Sequence, residues 1–347
     1  MGGEAAKTFQ YFDQFIAKGH SVWIICHRRV AKELKIELTP NEFKCIRFIN
    51  DSSLQILLWK VSQLFPERIR ELFFGMINNL IFQKSARKVA ETLIDTENIQ
   101  IVFQPTPNTP FLPSMLYDLG VPVVMGPLSG GMTFPPGLNL EKSIVRNFIK
   151  TAQTISKTSH YWIPGKLKAD ALLVANPKTY ELLPKNCQGK IYEGIIESGV
   201  NLDQYTSNKS NFSECRQKTK PQFIFTGRLV EWKGVDYLLK AFELALHKMD
   251  ADLLIIGSGS EQKNLETQAY NLNIADNVHF CGWLSHQQIA EHLAASDVFI
   301  MPSLRESGGN SVLEAMAMGL PVIVADWGGP SILVDETCGI KVSPTSP

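Results

Sequence analysis

Short apolar runs alternate with helix-like stretches along most of the chain, and this alternation constrains the fold more than any other feature. The apolar runs cover residues 22–26, 99–104, 121–125 and 171–175 in the first half, and residues 222–226, 252–257, 277–282, 298–302 and 321–325 in the second half. Continuous apolar runs of this length suit parallel strands that are buried on both faces. Their alternation with helices predicts an α/β protein with two doubly wound sheets.

A polar stretch in the second half of the chain predicts a domain boundary. Residues 205–221 (YTSNKSNFSECRQKTKP) contain few large apolar side chains, as a linker does. The 347 residues are enough for two cores, so we predict domains at 1–205 and 206–347. The first domain opens with a glycine pair and a helix where a strand is expected, and the second stops soon after residue 342. The sequence therefore predicts that a first strand and a closing helix are missing.

Composition and charge disfavour several classes of protein. The sequence holds 34 basic and 34 acidic residues and is 44% hydrophobic, which is ordinary for a globular protein and argues against a nucleic-acid surface. Residues 1–4 lack the features of a signal peptide, and no apolar run reaches the roughly 18 residues of a membrane span. We therefore expect a cytoplasmic location. The six cysteines are scattered without a CxxC pair, so a metal cluster is disfavoured.

Residues 51–93 combine helical periodicity with basic side chains. Apolar residues recur at helical spacing, among them Leu54, Leu57, Val61 and Leu64. Ordinary packing of helices on a sheet is the favoured interpretation. A membrane-facing helix is the alternative, because Arg68, Arg70, Arg87 and Lys88 lie nearby.

Two cations follow the strand predicted at residues 222–226. Gly227 lets the backbone turn sharply, Arg228 leaves the carboxyl end of the strand, and Lys233 comes just before Gly234 and another helix. Arginine offers a planar fork and lysine a point charge, and together they suit a pyrophosphate at a strand-to-helix crevice. The alternative is that both are ordinary surface residues.

Residues 305–321 (RESGGNSVLEAMAMGLP) place two glutamates around a glycine pair. Glu306, in a loop, can meet sugar hydroxyls. Gly308 and Gly309 let backbone N–H groups approach a diphosphate at a helix N-terminus. Glu314, one or two turns into the helix, can accept hydrogen bonds from a ribose. This order of groups predicts a sugar-nucleotide site.

Other loops of the second half give weaker signals. Gly257 opens a Gly-x-Gly turn, which either cradles a phosphate or is a plain turn. Trp283 and Leu284 follow another strand, where the backbone can meet a nucleobase and where Trp283 can equally be part of the core. The acid pair Asp250 and Asp252 lies at the amino end of a strand, whereas ligands bind at carboxyl ends, so we expect it to be structural.

The first half offers candidates in loops after two predicted strands. Gln104 ends one apolar run, and Gly130 and Gly131 close the glycine-rich loop 126–131 (GPLSGG) after the run 121–125. Such loops can approach an anion or a bound sugar closely. Rigid turns are the alternative for both.

The order of these motifs resembles that of the retaining family 4 glycosyltransferases, whose GT-B architecture has two Rossmann-like domains facing across a cleft. The resemblance covers nearly the whole chain and is most specific over residues 306–329. The sequence is similar to the subgroup with a GPxGG loop and with SGG after the first glutamate. Further motifs that carry the resemblance are GGE at 2–4, KGH at 18–20, KAD at 168–170, residues 227–234 and ASDVF at 295–299.

The resemblance implies roles for the charged residues. Arg228 and Lys233 match the pair that holds the donor diphosphate and the leaving group. Glu306 matches the acid that contacts the transferred sugar, and Glu314 matches the acid that binds the ribose. Together they would form the charged part of a donor site.

Backbone groups complete the site that the resemblance implies. Gly308, Gly309 and Asn310 match the loop that meets the sugar and the phosphates, and we add Gly227 and Gly257 as donor-binding candidates. In the N-terminal domain, Gly3 matches a glycine that faces the reaction centre, and Gly2 precedes it. Many relatives carry a histidine at a nearby strand end, where this sequence has Gln104 or Pro105.

The implied activity is retaining transfer of a hexose from a UDP- or GDP-linked donor to a saccharide or lipid-linked acceptor in glycan biosynthesis. No metal ion or other cofactor is implied. The leaving phosphate is thought to take the acceptor proton, so no protein nucleophile is named. Peripheral contact with the inner face of a membrane is compatible with a lipid-linked acceptor. Two alternatives stay open, namely an inactive or truncated sugar-nucleotide-binding fragment and a nucleotide-sugar epimerase.

Overall fold

The computed structural model describes residues 3–65, 70–136, 138, 158–195, 199–200, 202 and 220–344. Its contacts divide the chain into two compact units. Unit 1 comprises residues 1–131 and 141–197, and unit 2 comprises residues 132–140 and 198–347. Gly2 and most of the predicted linker lie outside the described residues. The segment 132–140 therefore precedes the linker in sequence and yet belongs, by its contacts, to unit 2.

Unit 1 is built from short parallel strands and helices. Its described strands are β1 (Ile24–His27), β2 (Ile46–Ile49), β3 (Val102–Gln104), β4 (Val123–Leu128), β5 (Ala171–Val174) and β6 (Lys190–Glu193). Its described helices are α1 (Gly3–Ala17), α2 (Ala31–Glu37), α3 (Pro40–Lys44), α4 (Ser53–Ser62), α5 (Gly75–Glu97), α6 (Gly165–Lys168) and α7 (Pro177–Glu181). β1 pairs with β2, and the other strands form a parallel sheet in the order β3-β4-β5-β6. Met125, Leu128 and Leu172 lie in the core of that sheet.

Unit 2 is one parallel sheet covered by helices. Its strands are β7 (Gln222–Thr226), β8 (Asp252–Ile256), β9 (Val278–Gly282), β10 (Val298–Met301), β11 (Val322–Ala325) and β12 (Gly339–Val342). Its helices are α8 (Val235–Leu246), α9 (Gln262–Asn271), α10 (His286–Ala295), α11 (Asn310–Ala317) and α12 (Gly329–Leu333). Two separate apolar clusters hold the unit together, one including α8 and α9 and the other α10 and α11. Because apolar clusters cover both faces of the sheet, successive residues of each strand are buried, and the strand sequences are accordingly apolar at successive positions.

The strand order of unit 2 is β12-β11-β10-β7-β8-β9, with all neighbours parallel. The chain first proceeds outward from β7 to β9 and then returns to the other side of β7 at β10. This reversal is the topological switch point of a doubly wound sheet, where a crevice opens at the carboxyl ends of the strands. The loops that follow β7 and β10 flank that crevice.

The apolar runs of the sequence coincide with the strands that lie inside the two larger sheets, with one correction. β4 continues past its run 121–125 to Leu128, so the first three residues of the predicted loop 126–131 belong to the strand. The strands that the sequence analysis missed are β2, β6 and β12. β6 and β12 are edge strands, and β2 belongs to a two-stranded sheet. An edge strand is covered less completely, so its sequence need not be a continuous apolar run. β12, for instance, exposes Ile340 and Val342.

Helix packing in the region 51–93 differs from the favoured expectation. α5 buries Ala86, Ala90 and Leu93 within unit 1, as expected of a helix that packs on a sheet. α4 does not, because its buried residues are Gln55 and Ser62, while all of its large apolar side chains except the half-buried Leu58 are exposed. None of the helices in the described ranges is long and apolar enough to cross a membrane.

Candidate functional site

The loops at the switch point of unit 2 bring two predicted residues together. Lys233 lies in a 3-10 turn (Glu231–Lys233) between β7 and α8, and Glu306 lies in the loop after β10. The Lys233 Nζ donates a hydrogen bond to the Glu306 Oε2. The two side chains are 12% and 20% exposed, so this ion pair is largely shielded from solvent and still reachable by a ligand.

Backbone contacts hold these two loops against each other. The Leu304 N–H, after β10, donates to the Trp232 carbonyl at 2.9 Å. Gly234 has a φ of +67°, and a Cβ there would lie 2.5 Å from the Pro302 carbonyl oxygen. Only glycine allows this turn and this close approach. The position of Lys233 relative to Glu306 is therefore fixed by the backbone on both sides.

Arg228, the second predicted cation, lies on the exposed side of the same loop. Its guanidinium carbon is 5.9 Å from the centroid of the Trp232 ring, which is within the range of a cation–π contact. Trp232 was not among the predicted site residues. An aromatic residue between two predicted phosphate-binding cations is the sequence signal that could have identified it.

Glycines at the ends of β7 and β8 bring two backbones into contact. A Cβ on Gly257, whose φ is +134°, would lie 1.9 Å from the Gly227 carbonyl oxygen. The Gly227 N–H donates to the Ile256 carbonyl at 2.9 Å, and the Gly257 N–H donates to the Gly282 carbonyl at 2.7 Å. Both N–H groups are thus used within the protein, and the structure shows a packing role for both glycines.

Helix α11 begins at the end of the loop that carries Glu306. Gly309 precedes the helix with a φ of +111° and provides no side-chain cap. Asn310 is the first helical residue, and Glu314 lies one turn further on and is half-buried. The first N–H groups of a helix have no partner within the helix, so this end attracts an anion. Gly308 lies in the same loop, immediately before Gly309.

Two buried oxygens near these loops have no hydrogen-bond partner among the described residues. One is the Oδ1 of Asn310, at the start of α11, and the other is the Oγ1 of Thr226, the last residue of β7. A buried polar atom without a partner costs about 1–3 kcal/mol, and it is rare in folded proteins. A bound ligand that donates a hydrogen bond would remove this cost.

A glycine pair after β11 fixes the backbone of Glu306. The Gly329 N–H donates to the Glu306 carbonyl at 2.9 Å. Gly328 has a φ of +76°, and a Cβ there would lie 2.3 Å from the same carbonyl oxygen. The sequence analysis assigned neither glycine to the site, although a Gly-Gly-Pro stretch that begins three residues after the end of a strand is a recognisable signal for a close backbone approach.

Trp283 and Leu284 follow β9, one of the two edge strands of the sheet in unit 2. Trp283 is exposed, whereas Leu284 packs against the core cluster that includes α10 and α11. Of the alternatives for Trp283, a core position is excluded by this exposure. A contact of either residue with a nucleobase stays a prediction.

The predicted residues of unit 1 are engaged within that unit. The Gln104 Oε1 accepts a hydrogen bond from the Ser114 hydroxyl at 2.6 Å. The Gly130 N–H donates to the Thr179 Oγ1 at 3.0 Å, and a Cβ on Gly131 would lie 2.1 Å from the Leu182 Cδ1. Gly3 is the first residue of α1. These contacts agree with rigid turns, and a role in binding stays a prediction.

Asp250 and Asp252 lie at the amino end of β8, where we expected a structural role. The Lys220 Nζ contacts the Asp252 Oδ1 at 2.8 Å and the Asp250 Oδ1 at 3.5 Å. Both carboxylates therefore neutralise a lysine beside the start of β7. Within the described residues, no group of three or more His, Cys, Asp or Glu side chains could hold a metal ion.

A buried lysine in unit 1 was not singled out by the sequence. Lys166, in α6, is buried, and its Nζ donates to the Thr109 carbonyl at 2.6 Å. Burial lowers the pKa of Lys166 to about 7. Burial and the nearby Lys166 charge lower the pKa of His160 to about 4. The lysine thus ties the loop after β3 to α6.

Comparison with known sequences finds a family match in the second half of the chain. Residues 207–347 match the model of a family described as glycosyl transferases group 1. A GDP-mannose-dependent monoacylated alpha-(1-6)-phosphatidylinositol monomannoside mannosyltransferase of Corynebacterium glutamicum is 35% identical over 161 residues, which is 42% of this chain and 42% of that protein. The chain spans about two fifths of the length of the first curated relatives that it matches, 41% and 42%.

Solved structures extend the likeness to both units. A glycosyltransferase from Rickettsia africae has a TM-score of 0.59 at 18% identity, covering 98% of this chain and 79% of that chain. Anabaena HepE in complex with UDP-glucose has a TM-score of 0.53 at 18% identity, covering 91% and 75%. These structures confirm the predicted α/β fold of GT-B type.

Proposed function

We propose that this protein is a retaining glycosyltransferase that moves a hexose from a UDP- or GDP-linked donor to a saccharide or lipid-linked acceptor. The observation that carries the proposal is the contact between Lys233 and Glu306 at the switch point of unit 2. A cation and a carboxylate at that point provide one group for a phosphate and one for sugar hydroxyls.

The donor diphosphate would bind between the two cations and the start of α11. Lys233 and Arg228 supply positive charge from the loop after β7, and the N-terminus of α11 supplies unpaired N–H groups. In the free protein Glu306 neutralises Lys233. An incoming diphosphate would compete for that lysine, because phosphate oxygens accept charge-assisted hydrogen bonds in the same way as a carboxylate.

Glu306 would then turn from the lysine to the hydroxyl groups of the transferred sugar. Its backbone stays fixed, because the Gly329 N–H holds the Glu306 carbonyl. Gly308 and Gly309 allow the sugar and the phosphates to approach the backbone, and a half-buried Glu314 is suited to accept hydrogen bonds from the ribose. The amide of Asn310 would complete the contacts at the helix start.

Bond breaking would proceed with the diphosphate as leaving group. Negative charge develops on the phosphate oxygens while the sugar gains oxocarbenium character, and fixed cations near those oxygens stabilise this state. Arg228, Lys233 and the N-terminus of α11 would perform that role, so the proposal needs no metal ion. The leaving phosphate would take the proton of the acceptor hydroxyl on the same face of the sugar, which gives retention.

The names of the relatives support a hexose on a nucleoside diphosphate as the donor, and they do not decide between uracil and guanine as its base. The Corynebacterium protein is named as GDP-mannose-dependent, and the Anabaena structure contains UDP-glucose. Both donors are hexoses on a nucleoside diphosphate, which is the chemistry that the Lys233–Glu306 arrangement fits. The acceptor class of the Corynebacterium protein is a mannosylated lipid, in line with a lipid-linked acceptor here.

The test is nucleotide release from UDP-glucose and GDP-mannose by the wild type and by Glu306→Gln. We expect the substitution to lower turnover about 100-fold or more, since a carboxylate that stabilises the transition state is worth that much. Glu336→Gln, an exposed carboxylate in the turn after α12, is the matched control and should leave turnover unchanged. Near-normal turnover by Glu306→Gln would refute the role of Glu306. Conversion of the donor sugar without nucleotide release would indicate an epimerase instead.

A further inference from the structure

Helix α4 and the residues after it present a row of large apolar side chains to solvent. Leu57 in the helix is 57% exposed, and Leu64 just beyond it is 83% exposed. The other exposed members of the row are Leu54, Ile56, Trp59 and Val61. We call these six residues the α4 face. Contiguous exposed apolar surface of this kind usually marks a contact with a partner or a membrane.

The protein side of α4 is polar, so the helix is inverted relative to an ordinary surface helix. Gln55 and Ser62, seven residues apart and thus on one side, are its buried residues. The Gln55 Nε2 donates to the Asn78 carbonyl of α5 at 3.3 Å, and Gln55 also forms a capping box with Ser52. The helix is therefore anchored by polar contacts, and its apolar residues are free to contact something else.

The distribution of the α4 face around the helix favours lipid over a single protein partner. At 100° per residue, its members cover more than half of the helix circumference. A partner helix covers an apolar stripe of roughly 100°, whereas fluid lipid can surround a wider arc. At 10 residues α4 is too short to cross a hydrocarbon core that takes roughly 20, so it would lie in the interface plane.

The charges around the α4 face suit an anionic surface. Residues 52–65 contain no acidic residue, and Lys60 projects from the exposed side of the helix. Of the acids that flank this segment in sequence, Asp51 accepts a hydrogen bond from Arg29 at 2.9 Å, and Glu67 and Glu71 adjoin Arg68 and Arg70. Arg70 lies beside the end of this segment, where its Nη1 donates to the Gln63 Oε1 at 3.1 Å. Basic residues next to exposed Leu and Trp are typical of helices that bind anionic lipid headgroups.

We infer that the α4 face docks unit 1 onto the surface of an anionic phospholipid bilayer. The apolar side chains would enter the boundary between headgroups and acyl chains, and Lys60 and Arg70 would contact the headgroup phosphates. This inference stands apart from the proposed transfer reaction, because it needs neither a donor nor an acceptor.

The experiment is flotation of the full chain with two kinds of vesicle, phosphatidylcholine alone and phosphatidylcholine with phosphatidylglycerol. The test variant is Trp59→Ser with Leu64→Ser. The control is Tyr270→Ser with Leu244→Ser, which likewise removes one exposed aromatic residue and one exposed leucine, from unit 2. All four positions are on the surface, so both variants should fold, and their thermal unfolding checks this.

We expect the wild type to bind the anionic vesicles more tightly than the neutral ones. The α4 variant should bind the anionic vesicles about tenfold more weakly or worse, and the control variant should bind like the wild type. Absence of wild-type binding, or equal binding by wild type and α4 variant, would overturn the inference. Concentration-dependent self-association that the α4 variant abolishes, without vesicle binding, would also overturn it and would assign the face to a second copy of the chain.

Discussion

Single glycines determine how closely the loops of unit 2 approach each other. Gly257 is the extreme case, because the place of its missing Cβ is only 1.9 Å from the Gly227 carbonyl oxygen. The sequence indicated a glycine-rich turn at this position. It could not show that the turn packs against the backbone of another strand end, since that contact depends on the pairing of β7 with β8.

Gly257→Ala should destabilise unit 2 strongly. The substitution forces a Cβ into a backbone atom at a φ of +134°, and we expect a cost of about 3 kcal/mol or more in the free energy of unfolding. Gly282→Ala is the matched control. Its φ is +66° with no atom within 4 Å of the new Cβ, so it should cost only about 1–2 kcal/mol. Urea unfolding of both variants measures the difference, and equal costs would contradict the close packing at Gly257.

The sequence makes some residues of the candidate site recognisable as candidates and others not. It predicts roles for Arg228, Lys233 and Glu306 because charged groups next to glycines at strand ends are unusual in a fold that buries its strands. Gly328 and Gly329 were missed as site residues, because their role is to hold the Glu306 carbonyl and this contact joins loops after different strands. Asn310 is a predicted site residue, and its buried oxygen without a partner among the described residues is visible only in the structure.

At the scale of elements, a buried lysine links α6 to the loop after β3. Lys166 donates to the Thr109 carbonyl from a buried position, and burial lowers its pKa to about 7 from the ordinary value of 10.5. Between pH 7 and 10.5 the unfolded chain therefore binds more protons at this residue than the folded chain does. The free energy of unfolding should rise with pH across that window, with a slope of up to about 1.4 kcal/mol per pH unit.

Lys166→Met should remove this pH dependence. Urea unfolding at several pH values between 6.5 and 10 should show that the wild type gains stability relative to the variant as the pH rises. Lys168→Met, a partly exposed lysine in the same helix, is the control and should follow the wild-type profile. Parallel profiles of the wild type and Lys166→Met would show that the lysine is not buried in its neutral form.

Strands and helices could be predicted from the sequence where burial requires a regular pattern of apolar residues. Strands β7, β8 and β10 lie inside a sheet with helices on both faces, so their apolar runs were continuous and easy to recognise. The edge strands β6 and β12 lacked that signal. The sequence analysis gave the correct periodicity for α4 and the wrong preference for its environment, because the pattern alone does not say whether protein or something else covers an apolar face.

At the scale of the whole molecule, the predicted donor-binding groups all lie in unit 2, and the apolar α4 face lies in unit 1. The family match covers the part of the chain that contains Arg228, Lys233, Glu306 and Glu314. The GT-B likeness extends to both units. We therefore propose donor recognition by unit 2 and membrane attachment by unit 1, and each proposal can be tested without the other.

The most direct test of the donor site is a calorimetric titration of the protein with UDP and with GDP, without added metal. We expect one of the two to bind in the micromolar range. Lys233→Ala should weaken that binding roughly 10- to 150-fold, because it removes a charge-assisted hydrogen bond to phosphate. Lys248→Ala, an exposed lysine of unit 2, should bind like the wild type. Failure of both nucleotides to bind, or equal affinity of the wild type and Lys233→Ala, would contradict a donor site at the switch point.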